Sequence, residues 1–360
     1  MAEMMGLERA LIYLQGEKPD KMPIWHESVY LAWKYSGVPS LRQYVYNPEA
    51  IVRGHMNYAE KFKVDITGVN IDIWWMYEPF GAQVDIRDHI IQPKAPPWRY
   101  RPDPNIYEKI EYHDPKEGER AKIMFEAWET AHRKYGNKIL IRQGWFGPIA
   151  MLGLTFGMPE LMRDVVVFPE VIGAIEKAVR DVLLDWAVDF AKAMIEAMKP
   201  NVTNFCMCLS GYDKSMVGRD LEEYVSKFDL EYLKKVREYI GKDVPITTHI
   251  CSYDPDLDFI YEKFGKYINE LQFYAPGSTY PLEEAVRKFG DKIPICAGID
   301  HLGTLFAGTP VDVERMVKRS IELGKQCISF ALGPGCGLGY GTPEENIWMV
   351  TEARDKYGVY

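Results

Sequence analysis

The sequence predicts an α/β protein, a single (β/α)8 TIM barrel spanning residues 1–360 with an N-terminal helical extension and inserted loops. Segments with helical apolar spacing alternate with short runs of β-branched and apolar residues about eight times along the chain. A chain of 360 residues has the length of one such barrel. No GxGxxG pattern follows a predicted strand, and Gly333-Pro334-Gly335-Cys336-Gly337 lacks the Lys-Ser/Thr ending of a phosphate-binding loop. These absences disfavour an open nucleotide-binding sheet.

The first predicted elements are a helix at 7–15, a short strand at 22–25, a helix at 48–63 and a strand at 64–73. A helix at 119–135, a strand at 138–143 and a turn at 144–148 continue the alternation. The later helices are predicted at 159–164, 169–198, 220–240, 255–264, 282–289, 310–324 and 342–357, and the later strands at 202–208, 245–250, 268–273, 293–298 and 327–332. This regular order favours one parallel, helix-wrapped sheet.

One long segment interrupts the alternation. Residues 79–118 are rich in Pro, Tyr, Asp and Arg and show no clear periodicity. We predict loops or short hairpins there, which form part of a lid or of a docking surface.

Composition excludes several classes of protein. The net charge of -9 and the pI near 5.4 give no clustered positive charge for DNA or RNA, so we expect no nucleic-acid partner. The start of the sequence lacks a basic region followed by an apolar run, and no segment has the length of a membrane span. The six cysteines are scattered and do not resemble a disulfide framework. We expect a cytoplasmic protein with reduced thiols.

The strand that ends in His249-Ile250-Cys251 carries the main chemical signal. Side chains two apart on a strand share a face, so His249 and Cys251 point the same way. An imidazole and a thiolate are ligands that zinc prefers, and Cys336, in a glycine-rich loop, is a candidate for the third. The three candidates are far apart in the sequence, which suits a zinc ion with three protein ligands and one open coordination position, as in a catalytic site. The alternative is a hydrogen-bonded core histidine beside small buried thiols.

Other chemical side chains follow or end predicted strands. In a parallel barrel such residues gather at the carboxyl-end mouth. They include Asp72, Trp145, Cys208, Gln272 and Asp300, together with the three candidate metal ligands.

Several motifs together resemble the uroporphyrinogen decarboxylase superfamily across nearly the whole chain. They are Leu14-Gln15-Gly16-Glu17-Lys18-Pro19-Asp20-Lys21-Met22-Pro23, His249-Ile250-Cys251, Gly298-Ile299-Asp300, Gly308-Thr309-Pro310-Val311-Asp312-Val313-Glu314, the glycine-rich segment around Cys336, and Gly341-Thr342-Pro343-Glu344-Glu345-Asn346-Ile347. Within this superfamily, His-x-Cys with a distant Cys is similar to the zinc signature of the corrinoid-dependent methyltransferases. The resemblance implies that His249, Cys251 and Cys336 bind Zn²⁺.

Two further residues are assigned by comparison with this family, and a third by its position in the sequence. Asp72 stands where the decarboxylases have a catalytic Asp, although a strand-end Asp can equally orient a neighbour. Gln272 stands where the thiol-activating branch can have an acidic zinc ligand, and neutral Gln is a poor one. His301 follows Asp300 and is placed to reach the mouth; the alternative is a loop histidine with no chemical role. Asp72, Gln272 and His301 are our catalytic candidates.

The resemblance leaves three activities to be distinguished. The preferred interpretation is methyl transfer from a methoxylated aromatic compound to the cobalt of a separate corrinoid protein, because tryptophan-rich loops supply flat apolar walls. The second is transfer from a methylated corrinoid to a thiol such as coenzyme M. The third, a decarboxylase-type lyase, is disfavoured because no arginine follows the first strand to hold carboxylate arms.

The preferred interpretation carries substrate and partner predictions. A corrinoid protein should dock transiently at the barrel mouth, and no corrinoid-binding Asp-x-His-x-x-Gly pattern is present in this chain. A homodimer is expected from the resemblance alone. The candidate substrate-binding residues are Trp25, His26, Tyr30, Trp74, Tyr77, Trp145, Phe146, Cys208 and Tyr212, some of which are expected to lie in the core instead.

Overall fold

The structure is a computed structural model that describes residues 3–94, 104–215 and 218–360. Its helices are α1 Gly6–Leu14, α2 Leu41–Val45, α3 Pro48–Lys61, α4 Glu119–Tyr135, α5 Pro148–Phe156, α6 Met158–Val167, α7 Val171–Ala178, α8 Leu184–Met198, α9 Arg219–Ile240, α10 Leu257–Phe264, α11 Leu282–Phe289, α12 Thr304–Ala307, α13 Pro310–Gly324 and α14 Glu344–Tyr357. Short 3-10 helices lie at Ala32–Tyr35, Trp75–Phe80 and Pro104–Lys109, and a π-helical turn at Val179–Leu183 joins α7 to α8.

Local signals in the sequence explain where several helices begin. Asn47 accepts a hydrogen bond from Ala50 N ahead of Pro48, the first residue of α3. Thr309 and Asp312 form a reciprocal capping box at the start of α13. These caps satisfy amide groups that have no partner within the helix.

The strands are short, and most of their residues are buried. They are β1 Trp25–His26, β2 Ile66–Thr67, β3 Val84–Ile86, β4 Ile91–Pro93, β5 Leu140–Ile141, β6 Gly144–Phe146, β7 Phe205–Cys208, β8 Ile246–His249, β9 Leu271–Gln272, β10 Ile295–Ile299 and β11 Phe330–Pro334. Burial on both faces is typical of a parallel sheet covered by helices.

Parallel pairing links the strands into three groups. The orders are β1-β2-β5, β6-β7-β8 and β11-β10-β9. A parallel bridge between Ile250 and Phe273 connects β8 to β9, and another between Ile24 and Leu332 connects β1 to β11. Alternating helices and parallel strands confirm the predicted α/β class.

The predicted turn at 144–148 is wrong, because β6 occupies Gly144–Phe146 and pairs with β7. Gly144 permits this pairing, since a Cβ there would lie 1.6 Å from the carbonyl oxygen of Cys206. Helix α5, which the sequence reading missed, follows at once with Gly147 as its N-cap and Pro148 in its first turn.

The segment 79–118 contains the predicted hairpin, formed by antiparallel β3 and β4. Residues 95–103 lie outside the described residues, so the predicted lid or docking role of this segment stays a prediction. Near its end, Tyr107 is buried and donates a hydrogen bond to Asp164 at 3.0 Å.

A cluster of aromatic side chains around Trp75 lies in the protein core. Trp75 is fully buried against Trp128 and Trp145, with ring centroids 5.6 and 6.3 Å away. It is therefore a core residue and not a wall of a binding site.

None of the helices in the described ranges combines the length and the apolar character that a bilayer-spanning segment needs.

Candidate metal centre and its cavity

Three side chains from two strand ends come together in one cluster. His249 is the last residue of β8, Cys251 follows it by two residues, and Cys336 lies two residues beyond β11. One ligand atom from each of the three lies within 4.8 Å of the others. The two sulfur atoms are 3.2 Å apart. Cys251 is exposed, so the cluster opens to solvent on one side.

The donor set fits a zinc ion. Two sulfurs bound to a tetrahedral zinc are separated by about 3.8 Å, so the observed sulfurs need to move by about half an ångström. The hydrogen bond between the two thiols lowers the pKa of Cys251 and raises the pKa of Cys336, so one of the pair is favoured as the thiolate that metals bind. The close packing at Gly335 holds the loop in place, since a Cβ there would lie 2.3 Å from Cβ of Tyr274.

Gln272 contacts His249 on the side away from the cluster. Its Oε1 lies 2.8 Å from Nδ1 of His249, and its Nε2 donates to the carbonyl oxygen of Pro334 at 2.7 Å. An amide oxygen accepts only from a protonated nitrogen, so Nδ1 carries the hydrogen and Nε2 is left as the ligand atom. The predicted catalytic candidate Gln272 is placed to orient His249.

A cavity of about 220 Å³ lies beside the cluster. Its wall includes His249, Cys251 and Cys336, so the cavity borders the candidate metal site. Apolar and aromatic side chains make up much of the remaining wall. Of the predicted substrate-binding residues, the structure brings Trp25, Tyr30, Trp145, Phe146 and Cys208 into this wall.

Four other predicted substrate-binding residues do not line the cavity. His26 is buried beside Tyr58, with Nδ1 3.0 Å from the tyrosine hydroxyl, and burial lowers the pKa of His26 to about 3. Tyr77 is buried behind Trp145 and accepts a hydrogen bond from its indole nitrogen. Tyr212 donates to Asp229 at 2.8 Å. The fourth residue, Trp74, also lies outside the wall.

Asp72 lies five residues beyond the end of β2 and is fully buried away from the cavity. Its carboxylate accepts hydrogen bonds from the backbone nitrogens of Trp74 and Trp75 at 2.6 and 2.9 Å, and it forms a buried ion pair with Arg120. These contacts stabilise the 3-10 helix Trp75–Phe80. A catalytic role for Asp72 stays a prediction.

His301 is likewise outside the cavity wall. Its ring packs edge-on against Tyr274 with centroids 4.8 Å apart, and burial lowers its pKa to about 4. Its catalytic role also stays a prediction.

The sequence reading missed two charged residues of the cavity wall, Glu27 and Arg142. Glu27 follows β1, and Oε1 is enclosed without a hydrogen-bond partner among the described residues. Burial raises the pKa of this carboxyl. Arg142 directly follows β5 and is 4% exposed. Their position at strand ends was the available signal, since the same rule selected the other candidates.

Comparisons with known proteins find related methyltransferases. The chain is 26% identical over 251 residues to the methylcobamide:CoM methyltransferase MtbA of Methanosarcina acetivorans, covering 69% of this chain and 68% of the relative. It is 23% identical over 244 residues to the protein of the same name from Methanosarcina mazei, covering 66% and 64%. The second match therefore spans slightly less than two thirds of the relative.

A solved methyltransferase from Methanosarcina mazei shares the fold, with a TM-score of 0.77, 18% identity and 99% of both chains covered. The relatives confirm the predicted class of enzyme, a methyltransferase. The family model for uroporphyrinogen decarboxylase (URO-D) matches residues 5–357, and the chain therefore belongs to this family.

Proposed function

We propose that this enzyme transfers a methyl group between a small substrate in the cavity and the cobalt of a separate corrinoid protein. The observation that carries the proposal is the cluster of His249, Cys251 and Cys336 in the wall of an aromatic cavity. These three residues would hold a Zn²⁺ ion, which would supply a Lewis acid able to activate a thiol or to polarise an ether oxygen.

The protein's own side chains prepare the site. Gln272 holds the His249 ring in one orientation and one tautomer. Trp25 packs its edge against the same ring, with centroids 5.8 Å apart. Trp145 and Phe146 contribute apolar walls that exclude water and limit the orientations of a substrate.

The architecture we propose is one domain with a closed (β/α)8 barrel. The two parallel bridges support closure, because they join β8 to β9 and β11 to β1 while β5 runs on along the chain into β6. A mouth formed by the carboxyl ends of the strands would face the corrinoid protein. Dimerisation remains a proposal taken from the family.

A small thiol is our first candidate for the methyl acceptor. The named relatives are methylcobamide:CoM methyltransferases, which supports a thiol of the coenzyme M type. An aryl methyl ether as methyl donor is the second candidate. The aromatic walls favour it, and so does Gln272 at the position where the thiol-activating branch can carry an acidic ligand.

A decarboxylase-type lyase is less compatible with this site. A cavity of about 220 Å³ is smaller than a typical pocket for a drug-sized ligand, and a tetrapyrrole is larger still. The sequence after β1 provides Glu27 where carboxylate arms would need a cation.

The direct test is a methyl-transfer assay with a purified corrinoid protein, followed by the cobalt absorption spectrum. Methylated cobalt should be demethylated by coenzyme M if the thiol proposal is correct. Methoxybenzoates should methylate reduced cobalt if the aryl ether proposal is correct. The zinc-depleted Cys336→Ser variant should do neither. Absence of transfer with thiols, aryl ethers, methanol and methylamines would reject the proposed function.

A further inference from the structure

A buried arginine forms part of the cavity floor. Arg142 is 4% exposed, and its guanidinium carbon lies 4.7 Å from the ring centroid of Trp25. Its partner Glu270 precedes β9, and Tyr13, which also contacts Glu270, lies on α1. Because the strands are parallel, Glu270 lies toward the end of the sheet opposite Cys251 and Cys336. The positive charge and the candidate metal ligands therefore occupy opposite ends of one cavity.

The hydrogen-bonding capacity of Arg142 is only partly used. Nη2 donates to both oxygens of Glu270 at 2.6 Å, and the hydroxyl of Tyr13 donates to Glu270 at 2.8 Å. Nε and Nη1 are buried and have no hydrogen-bond acceptor among the described residues. The adjacent thiol of Cys296 is at most a weak acceptor. Buried donors normally have partners, so these two nitrogens point to a missing ligand.

We propose that Arg142 forms an anion subsite, which binds the carboxylate or sulfonate group of a small substrate whose reacting end lies at the His249, Cys251 and Cys336 cluster. Only the assignment of the reacting end rests on the proposed function. A charge-assisted hydrogen bond to Nε or Nη1 would satisfy a buried donor and fix the substrate along the cavity. Both substrate candidates contain such a group, as a methoxybenzoate or as a thiol that carries a sulfonate.

Two features of the wall define this subsite further. Glu270 already neutralises part of the charge of Arg142 through Nη2, so the added attraction is that of two hydrogen bonds and not of an isolated cation. Glu27 lies after β1 at the carboxyl end of the strand, where Leu338 N donates to its carbonyl oxygen. The pairing of β1, β2 and β5 nevertheless places Glu27 level with Arg142, and both of its carboxyl oxygens lie beside Gly68. Glu27 is therefore a second acidic neighbour of the subsite, and the ligand anion has to make its contacts at Nε and Nη1 on the side away from it.

The test compares ligands that differ in charge, by calorimetric binding to the purified full-length enzyme without any corrinoid protein. One pair is 3-methoxybenzoate and 3-methoxybenzyl alcohol; the other is 2-mercaptoethanesulfonate and 2-mercaptoethanol. For at least one pair, wild type should bind the anion about tenfold to a hundredfold more tightly than the neutral analogue. The pair that shows the preference identifies carboxylate or sulfonate as the ligand group.

Arg142→Met should remove this preference, and Arg142→Lys should retain part of it. Arg354→Met is the matched control, because Arg354 is a buried arginine paired with Asp65 at 3.0 Å and lies outside this cavity. Circular dichroism should establish that each variant is folded.

Equal affinity for charged and neutral ligands in wild type would overturn the subsite, even if the Arg142 variants fail to fold. An unchanged preference in Arg142→Met would overturn it as well. A retained charge preference without methyl transfer would reject the proposed function and leave the subsite standing.

Discussion

Gln272 fixes the ring of His249 through one hydrogen bond of 2.8 Å, and it is itself held by the carbonyl oxygen of Pro334. Pro334 lies two residues before Cys336, so this glutamine joins the two chain segments that supply the candidate ligands. The same position would suit an acidic metal ligand in related enzymes. In this chain we propose that its amide positions the His249 ring.

We predict that Gln272→Leu binds zinc about tenfold to a hundredfold more weakly than wild type. Leucine keeps the apolar volume but cannot accept the hydrogen from Nδ1, so the ring loses its fixed tautomer. Zinc affinity should be measured by competition with a chromogenic chelator. Gln326→Leu, at an exposed position where the side chain donates to the carbonyl oxygen of Glu322, should bind zinc as wild type does. Equal affinities for all three proteins would exclude the positioning role.

A second prediction concerns the three candidate metal ligands. His249→Ala, Cys251→Ser and Cys336→Ser should each lower the zinc content well below the value of about one ion per chain expected for wild type, because each removes one of three donors. Elemental analysis of dialysed protein measures the zinc content per chain. Cys208→Ser is the matched control, since Cys208 lines the same cavity but lies outside the cluster. Full zinc content in Cys336→Ser would remove the third ligand from this assignment.

The sequence was most informative at strand ends that carry residue types typical of one kind of site. His249, Cys251 and Cys336 could be selected because zinc prefers this combination, and the structure brings them together. Tyr212 and His26 share the same strand-end position and yet lie in the protein interior, because Asp229 and Tyr58 provide them with hydrogen-bond partners. Such pairings depend on contacts between distant segments, which periodicity does not reveal.

The boundaries of β6 also depend on contacts between distant segments. The Gly144-Trp145-Phe146-Gly147-Pro148 segment has the composition of a turn, but pairing with β7 extends the strand to Phe146. Arg142 was visible as a strand residue. That two of its nitrogens lack an acceptor among the described residues depends on the position of Glu270, 128 residues away.

A third prediction concerns the buried ion pair of Arg120 and Asp72. Arg120→Met should lower the free energy of unfolding by about 3–5 kcal/mol, because it leaves a fully buried carboxylate without its partner. Urea denaturation monitored by circular dichroism measures the change. Arg87→Met removes an exposed ion pair with Asp85 and should change stability by less than about 1 kcal/mol. A similar small loss for both variants would show that Asp72 is not stabilised by Arg120.

The last prediction concerns Asp229, whose carboxyl is fully buried behind Tyr212. Burial raises the pKa of Asp229 to about 7, and the hydrogen bond from Tyr212 only partly opposes this rise. The pKa of an Asp carboxyl in an unfolded chain is about 4, so the folded state binds the proton more tightly than the unfolded state does. The resulting stabilisation is complete below about pH 4 and is lost as the pH rises through about 7.

Asp229→Asn removes this titration and keeps an acceptor oxygen for Tyr212. The free energy of unfolding of the variant should therefore fall less between pH 4 and pH 7 than that of wild type, by an amount on the order of 4 kcal/mol. Urea denaturation at a series of pH values measures this slope. Asp181→Asn, at an exposed position, should retain the slope of wild type. Parallel curves for wild type and Asp229→Asn would show that Asp229 is already ionised in the folded protein at low pH. In that case the hydrogen bond from Tyr212 would stabilise the charge more than burial opposes it.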